Sequence, residues 1–270
     1  MRRWAASSAE WSFCHPWAAC WFVFAAFATG AAPARAAPCT FEAQGEGRVA
    51  EVIDGRSFRL TDGREIKLAG VEPVTAGATR AERAAALSAI IAGKDVALRG
   101  ADDAPDRYGR QAAFVFLAED DKSVQSLLLT QGAALLSSEF ADKECTAALL
   151  AAEGAAKAAK KGIWNSPIVI KNAESTDDIL AGIGRFLLVE GRVLSVRQAG
   201  ATTYLNFGRR WTRDFAVTIS RRNMPAVESA GMVLKSLENR RIRVRGWVEA
   251  RPGPRMEVVR AGQIEVLGGN

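Results

Sequence analysis

Residues 41–68 alternate apolar and polar side chains with a period of two, and tight-turn signals interrupt this alternation. The segments RVAEVI, SFRL and EIKL are separated by two Asp-Gly dipeptides, which are typical of β-hairpin turns. Alternation of this kind turns one face of each segment toward a core and the other toward water. The pattern therefore predicts three consecutive antiparallel strands and excludes an all-helical fold.

Helical spacing appears after the third predicted strand. Residues 79–94 begin with Thr79 and carry Glu82 three positions later, which predicts a helix with a capping box. Residues 123–136 and 145–164 predict two further helices, and strand-like segments lie between the first helix and the second. One helix between the third and fourth of five strands predicts a small Greek-key barrel of the oligonucleotide/oligosaccharide-binding (OB) type.

A short sequence recurs in the second half. Glu46–Val52 reads EGRVAEV and Glu190–Val196 reads EGRVLSV, so five of seven positions are identical. Further strand patterns follow the second copy, with a helical segment over residues 226–239 between the third and fourth. The fold class predicted is mainly β with α, built from two five-stranded OB-type barrels, the first with three helices. The domains predicted are a first barrel at residues 37–164, a linker at 165–184 and a second barrel at 185–270.

The first 36 residues have the features of a secretory signal peptide. Arg2 and Arg3 precede an apolar run over residues 17–32, and Ala34–Ala36 offers a small-x-small cleavage site. We expect an exported protein, periplasmic or secreted, with no stable membrane span once the signal is removed. An uncleaved anchor is the alternative.

Cleavage of this signal would limit the available chemistry. The single histidine, His15, would be lost, and with it His-dependent nucleophilic catalysis and His-ligated zinc. Cys39 and Cys145 would be the two remaining cysteines, which predicts one disulfide in an oxidising compartment.

Charge is distributed unevenly between the two halves. Residues 37–178 contain 17 Lys and Arg against 22 Asp and Glu, whereas residues 179–270 contain 16 against 7. The net charges are therefore −5 and +9. A basic second half indicates a polyanionic partner, either nucleic acid or an acidic envelope surface.

Several motifs resemble one known family. VIDGRSFRL, KLAGV, DRYGR followed by a strand, and AAEGAAKAAKKGIW together resemble the staphylococcal (thermo)nuclease family over roughly residues 45–164. The resemblance implies an OB-fold nuclease domain and calcium-assisted phosphodiester hydrolysis. In that chemistry a carboxylate pair holds calcium, a glutamate activates water and two arginines hold the phosphate. The second predicted barrel resembles a smaller domain that follows the nuclease module in some exported bacterial relatives.

Three of the five family positions are changed in this sequence. Arg56 stands where the family has an acid, Lys67 where it has the first arginine, and Thr75 where it has the catalytic glutamate. Glu72 takes the place of the second carboxylate and Arg110 keeps the second arginine. A cation at the metal position repels calcium, a threonine is no general base at neutral pH, and a lysine lacks the planar fork of arginine.

The remaining family chemistry falls on few side chains. The catalytic candidates are Arg110, Lys67 and Glu72, and Arg56 and Tyr108 are candidates for substrate binding. No cofactor is expected, and calcium held by Asp54 and Glu72 is the alternative. Asp54 is otherwise the first residue of a tight turn. Tyr108 either stacks on a sugar or base or packs against its hairpin, and Arg110 either binds phosphate or fastens that hairpin to backbone carbonyls.

The second half interleaves aromatic residues with arginines over residues 202–215, and RRIRVRGW at residues 240–247 repeats the theme. Aromatic faces stack on bases while arginines follow the phosphates of a single strand. Phe207, Phe215 and Trp247 are predicted to fill the interior of the barrel. The predicted substrate-binding residues here are Arg209, Arg210 and Trp211.

Three functions are consistent with these patterns. The first is an exported nuclease-family protein that binds nucleic acid, single-stranded by preference, or another polyanion, with weak or no phosphodiesterase activity. The second is an active calcium-assisted nuclease with a rearranged site, and the third is a scaffold that binds envelope proteins. The sequence does not specify an oligomeric state.

Overall fold

The computed structural model describes residues 39, 41–75, 77–118, 121–137, 140 and 142–268. The predicted signal peptide lies outside these residues. Residues 36–270 form one compact unit. Within the described part of the chain, no helix is long and apolar enough to cross a membrane.

The first half contains a closed barrel. Its strands are β1 (Glu42–Val52), β2 (Ser57–Leu60), β3 (Glu65–Leu68), β4 (Val71–Pro73), β5 (Asp95–Gly100), β6 (Arg110–Leu117) and β7 (Ala134–Leu136). Five of them close in the order β1-β2-β3-β6-β5, and β4 pairs with β7 beside the barrel. β3 and β6 run parallel, while the other neighbours in the barrel are antiparallel. The predicted five-stranded barrel is confirmed.

Three helices accompany the barrel, namely α1 (Arg80–Ile91), α2 (Val124–Gln131) and α3 (Lys143–Ala158). The capping box of α1 is confirmed, since Thr79 accepts from the Glu82 N–H and the Glu82 carboxylate accepts from the Thr79 N–H. α2 ends earlier than predicted because Gly132 adopts a left-handed conformation, with φ 68°. The apolar residues after Gly132 form β7 instead of a further helical turn.

The second half forms a further, eight-stranded sheet, where the sequence predicts a second five-stranded barrel. Its strands are β8 (Ile170–Asn172), β9 (Phe186–Arg192), β10 (Ser195–Ala199), β11 (Thr202–Asn206), β12 (Ala216–Ser220), β13 (Arg241–Ala250), β14 (Pro254–Glu257) and β15 (Ile264–Val266). The order is β10-β11-β12-β14-β13-β9-β8, and β15 also pairs with β13. Two short helices, α4 (Thr176–Leu180) and α5 (Met224–Glu228), complete this half.

The two halves share one order of strand neighbours. β9 and β10 correspond to the two ends of β1, and β12 runs parallel to β14 as β3 runs parallel to β6. The prediction of a long helix over residues 226–239 is wrong. α5 ends at Glu228, Gly231 has φ 82°, and a 3-10 turn follows at Leu234–Leu237.

The recurring sequence occupies the same place in each half. The Val49 N–H donates to Lys94 O at 2.9 Å, and the Val193 N–H donates to Arg240 O at 3.0 Å. Both valines are buried, with exposed fractions of 3% and 0%. In each half, the EGRV segment therefore lies where the chain stops pairing with one neighbouring strand and begins to pair with the next: β5 and then β2 in the first half, β13 and then β11 in the second.

The segment predicted as a linker is packed against both halves. Val169 belongs to an apolar cluster that also contains Val74, Trp164 and Phe186. Ile179 of α4 is fully buried in the core of the second half. Residues 165–184 thus include β8, α4 and buried side chains.

A buried ion pair also joins the halves. Arg245 of β13 is 1% exposed, and its Nη2 lies 2.8 Å from Oε2 of Glu153 on α3. Arg245 Nη1 also donates to Leu136 O at 2.8 Å. The neighbouring Arg243 bonds Glu190 and Glu265. These two arginines lie on the face of β13 that the first half covers. Both bond to carboxylates of the protein itself and are not exposed for an external ligand.

The orientation of side chains along β13 corrects one sequence prediction. Trp247 is 40% exposed, whereas it was predicted to be interior; Phe207 and Phe215 are buried as predicted. Trp247 shares a face of β13 with Arg243 and Arg245, because side chains alternate along a strand. The interior positions of this strand are instead taken by valine and isoleucine.

The predicted disulfide is confirmed. Cys39 precedes β1 and Cys145 lies in the first turn of α3, with their Cα atoms 4.5 Å apart. The bond therefore ties the beginning of the barrel to the helix that contacts the second half.

Candidate nucleic-acid interface

The turn between β1 and β2 positions Arg56. Asp54 Oδ1 accepts hydrogen bonds from the backbone N–H groups of Arg56, at 2.9 Å, and Ser57, at 2.8 Å. The interpretation of Asp54 as a turn residue is thereby confirmed. The backbone of Arg56 is also fixed against β3, since its carbonyl accepts from the Leu68 N–H at 2.8 Å.

Arg56 forms an ion pair with Glu72 of β4 through Nη1 and Oε1. The pair is well shielded from water, since the two side chains are 17% and 9% exposed. Charge-assisted pairs of this kind are stronger than neutral hydrogen bonds. The Arg56 guanidinium thus neutralises the carboxylate that the family resemblance assigns to calcium.

The donor set does not fit a calcium ion. Calcium takes six to eight oxygen ligands, usually with several carboxylates. Here Glu72 bonds to a guanidinium, and Asp54 Oδ1 is engaged by its own turn. Among the described residues, no group of three or more His, Cys, Asp or Glu side chains converges on a point.

Lys67 lies on β3 directly opposite Ser57 and is partly buried. Its burial lowers its pKa, and the charges of Arg56 and Arg110 lower the pKa further, while Glu72 opposes this effect. The charges of both arginines therefore act on Lys67. We refer to Arg56, Lys67 and Arg110 as the cation cluster. An anion bound here would offset the effect of the two arginines on Lys67.

Arg110 is held at the start of β6 by Asp106. Its Nη2 and Nε lie 2.8 and 3.1 Å from Asp106 Oδ2, and Asp106 Oδ1 accepts from the Tyr108 and Arg110 N–H groups. The guanidinium thus fastens the hairpin through a carboxylate instead of the backbone carbonyls considered above. Tyr108 is 66% exposed, and the guanidinium carbons of Arg107 and Arg110 lie 4.8 and 5.1 Å from its ring centre.

We expect the Asp106–Arg110 bond to be visible in a carboxyl titration. Hydrogen bonds from Arg110 lower the pKa of Asp106 to about 2. Because the folded value is depressed, the bond stabilises the fold above the unfolded pKa and is lost as pH falls toward about 2. In Arg110→Ala the pKa of the carboxyl should rise toward the ordinary value of about 3.9 and stay below it, because the backbone N–H groups of residues 108 and 110 still donate to Asp106. NMR of the side-chain carboxyl carbons measures both values. An unchanged Asp106 pKa in this variant would contradict the assignment, and Arg107→Ala serves as the control.

Two other positions do not contribute to the cation cluster. Thr75 is exposed just beyond β4, and Glu82 is engaged in the capping box of α1. No contact brings either side chain to Arg56 or Arg110 among the residues that the structure describes.

The predicted binding residues of the second half separate into two places. Trp211 is 68% exposed in the loop between β11 and β12, where it lines a groove together with Arg209. Arg210 lines a different cavity, beside Asp177 and Asp178 of α4. This acidic surrounding weakens the case for Arg210 as a phosphate contact. The loop is held by Asp214, whose carboxylate accepts from the Arg210 N–H at 2.7 Å.

Residues that sequence reasoning missed complete the groove. Arg197 on β10 and Arg255 on β14 line it beside Tyr204, which was noted only as part of the aromatic pattern. The alternation along β10 and β11 would place Arg197 and Tyr204 on one face. Arg255 lies 51 positions further on in sequence than Tyr204, and no local pattern connects it to that strand.

Residues 74–166 match a family model described as Staphylococcal nuclease homologue. The match includes Thr75, Tyr108 and Arg110 and begins after Arg56, Lys67 and Glu72. It supports a staphylococcal nuclease-like OB fold for the first half. No curated protein matches the chain.

Proposed function

We propose that this protein binds nucleic acid, preferentially single-stranded, or a related polyanion, and that it hydrolyses phosphodiesters weakly or not at all. The ion pair between Arg56 and Glu72 carries this proposal. It places a guanidinium against the carboxylate that would otherwise hold calcium. The carboxylates of Glu72 and Asp106 are engaged by Arg56 and Arg110, and Lys67 adds a positive charge for phosphate.

The cation cluster supports phosphate binding in particular. Arg110 presents a planar fork that is oriented by Asp106, and Lys67 adds a partly buried positive charge. The exposed ring of Tyr108 beside Arg110 offers a surface on which a sugar or base can stack. The net charge of +9 on residues 179–270 adds long-range attraction for an anionic strand.

We further propose that the protein is exported to the periplasm or secreted, and that it needs no cofactor. The disulfide between Cys39 and Cys145 supports an oxidising compartment, because such bonds persist there. The signal-like pattern of the first 36 residues supports the same conclusion.

Salt dependence provides the test of phosphate binding. Each phosphate contact to a single strand contributes about 0.7 to the slope of log affinity against log salt concentration. Lys67→Ala/Arg110→Ala should therefore weaken binding of a labelled single-stranded oligonucleotide and reduce this slope by about 1.4. Fluorescence anisotropy at several salt concentrations measures both quantities.

Arg59→Ala is the matched control, since Arg59 also lies on the barrel, is 44% exposed and pairs with Glu51 and Glu65. A double variant that binds with the wild-type slope would contradict the assignment of the cation cluster. A chain that binds no oligonucleotide even at low salt would instead favour a protein-interaction scaffold.

A further inference from the structure

A groove of about 870 Å³ lies on the outer face of the second sheet. Arg197 is paired with Tyr204 across β10 and β11, and Ala216 is paired with Arg255 across β12 and β14. Side chains alternate along each strand, so Leu205, Val217 and Met256, at neighbouring positions, are buried in the core. The sheet thereby presents its polar and aromatic positions on one continuous surface.

Three arginines line the groove, and none of them forms an ion pair within the described part of the chain. It is lined by Arg197, Arg209 and Arg255, and none of the described residues that line it is an aspartate or glutamate. Within the described chain, none of these three guanidiniums forms an ion pair, although Arg222, Arg243 and Arg245 in the same half all do. Like charges in one groove raise its affinity for an anion.

Arg255 is held in place at the groove by its neighbours. Its Nε is buried and has no hydrogen-bond acceptor among the described residues. Its guanidinium carbon lies 5.2 Å from the centre of the Tyr204 ring, so the side chain is held over that ring. Arg255 thereby presents its charge beside an aromatic ring in the groove.

The aromatic residues determine which class of anion fits. Trp211 exposes 68% of its surface at the edge of the groove, where Tyr204 also contributes its ring. Exposed indole and phenol faces stack on planar rings, and the amides of Asn206 and Asn239 line the same groove and can bond polar ring edges. Bases and phosphates of one nucleic-acid strand supply both kinds of contact.

We propose that this groove, lined by Tyr204, Trp211, Arg197, Arg209 and Arg255, binds consecutive nucleotides of a single strand. Bases stack on the aromatic rings and arginines bond the phosphates. This inference rests on the proposed nucleic-acid binding and assigns part of it to the second half, apart from the cation cluster of the barrel.

The test compares an oligothymidylate with an abasic strand of the same length and charge. Binding of the oligothymidylate should quench tryptophan fluorescence in the wild-type chain, and Trp211→Ala should abolish most of that quenching. Stacking contributes about 1–3 kcal/mol per base, so Trp211→Ala should weaken binding roughly 5- to 150-fold. Trp211→Phe keeps a stacking ring and should retain most of the affinity without the quenching.

Arg222→Ala is the control for loss of a positive charge and should bind like the wild type, because Arg222 is exposed, pairs with Glu257 and does not line the groove. The proposal is overturned if Trp211→Ala binds the oligothymidylate as the wild type does, or if the abasic strand binds equally well. In that case, loss of affinity in Lys67→Ala/Arg110→Ala would still uphold the proposed function. A wild-type chain that binds neither strand overturns both, and preferential binding of an acidic polysaccharide would reassign the groove to that class.

Discussion

Arg245→Ala should lower the free energy of unfolding by about 3–5 kcal/mol, measured by chemical denaturation. The guanidinium is 1% exposed and bonds both the Glu153 carboxylate and the Leu136 carbonyl. Removing it leaves a carboxylate that is 6% exposed without its countercharge. An unpaired buried charge is one of the few changes that cost this much in a folded protein.

Two further variants distinguish loss of the buried ion pair from loss of a positive charge in general. Arg241→Ala is the control, since Arg241 lies on the same strand but is 66% exposed, and it should change stability by less than about 1 kcal/mol. Adding Glu153→Gln to an Arg245→Met variant should recover part of the loss, because the buried charge is then absent. Wild-type stability in Arg245→Ala would contradict the role assigned to this pair.

Removing the disulfide is the second change with a large expected effect. Cys39 and Cys145 are 106 positions apart, so the bond closes a long loop. In the chain-entropy model, a cross-link over about 100 residues stabilises the fold by about 4.7 kcal/mol, and measured losses usually fall between about 2 and 5. Cys39→Ser/Cys145→Ser should therefore lose stability in this range.

Denaturation with and without a thiol reductant tests this expectation. The reductant should destabilise the wild type and leave the double serine variant unchanged. A variant as stable as the oxidised wild type would show that the bond does not contribute to the stability of the fold.

Local patterns were sufficient to predict the barrel. The Asp-Gly turns and the alternation around them gave three strands, and Thr79 with Glu82 gave the start of α1. The end of α2 was missed because Ala134–Leu136 continues an apolar pattern that suits a helix or a strand. The left-handed Gly132 decides between them, and the pairing of β7 with β4 fixes the result.

Tertiary burial was harder to predict than secondary structure. The arginines of the segment RRIRVRGW suggest contacts with nucleic acid from the sequence alone, whereas Arg243 and Arg245 are buried in the structure. Glu153, which pairs with Arg245, is 92 positions away in sequence, and no local signal indicates that α3 covers this face. Trp247 was misplaced although its register with Val244 and Val248 already indicated the opposite face.

The candidate site shows the same division. Substitution of the family acid by Arg56 was evident from the motif, and it predicted a cation at the metal position. The structure adds that Glu72 pairs with this cation, so that two family positions now form an internal contact. The groove beside Trp211 could not be predicted without the register of four neighbouring strands. This register brings Arg197 and Arg255 together from opposite ends of the second half.

Cleavage of an end-labelled single-stranded DNA, in calcium and in EDTA, tests the central claim most directly. We expect the purified chain to bind the DNA and leave it intact in both buffers, because Glu72 is paired with Arg56 and the carboxylate that contacts Arg110, that of Asp106, is held in an ion pair with it. Calcium-dependent cutting that is abolished in Arg110→Ala would contradict this account and establish an active nuclease with a rearranged site.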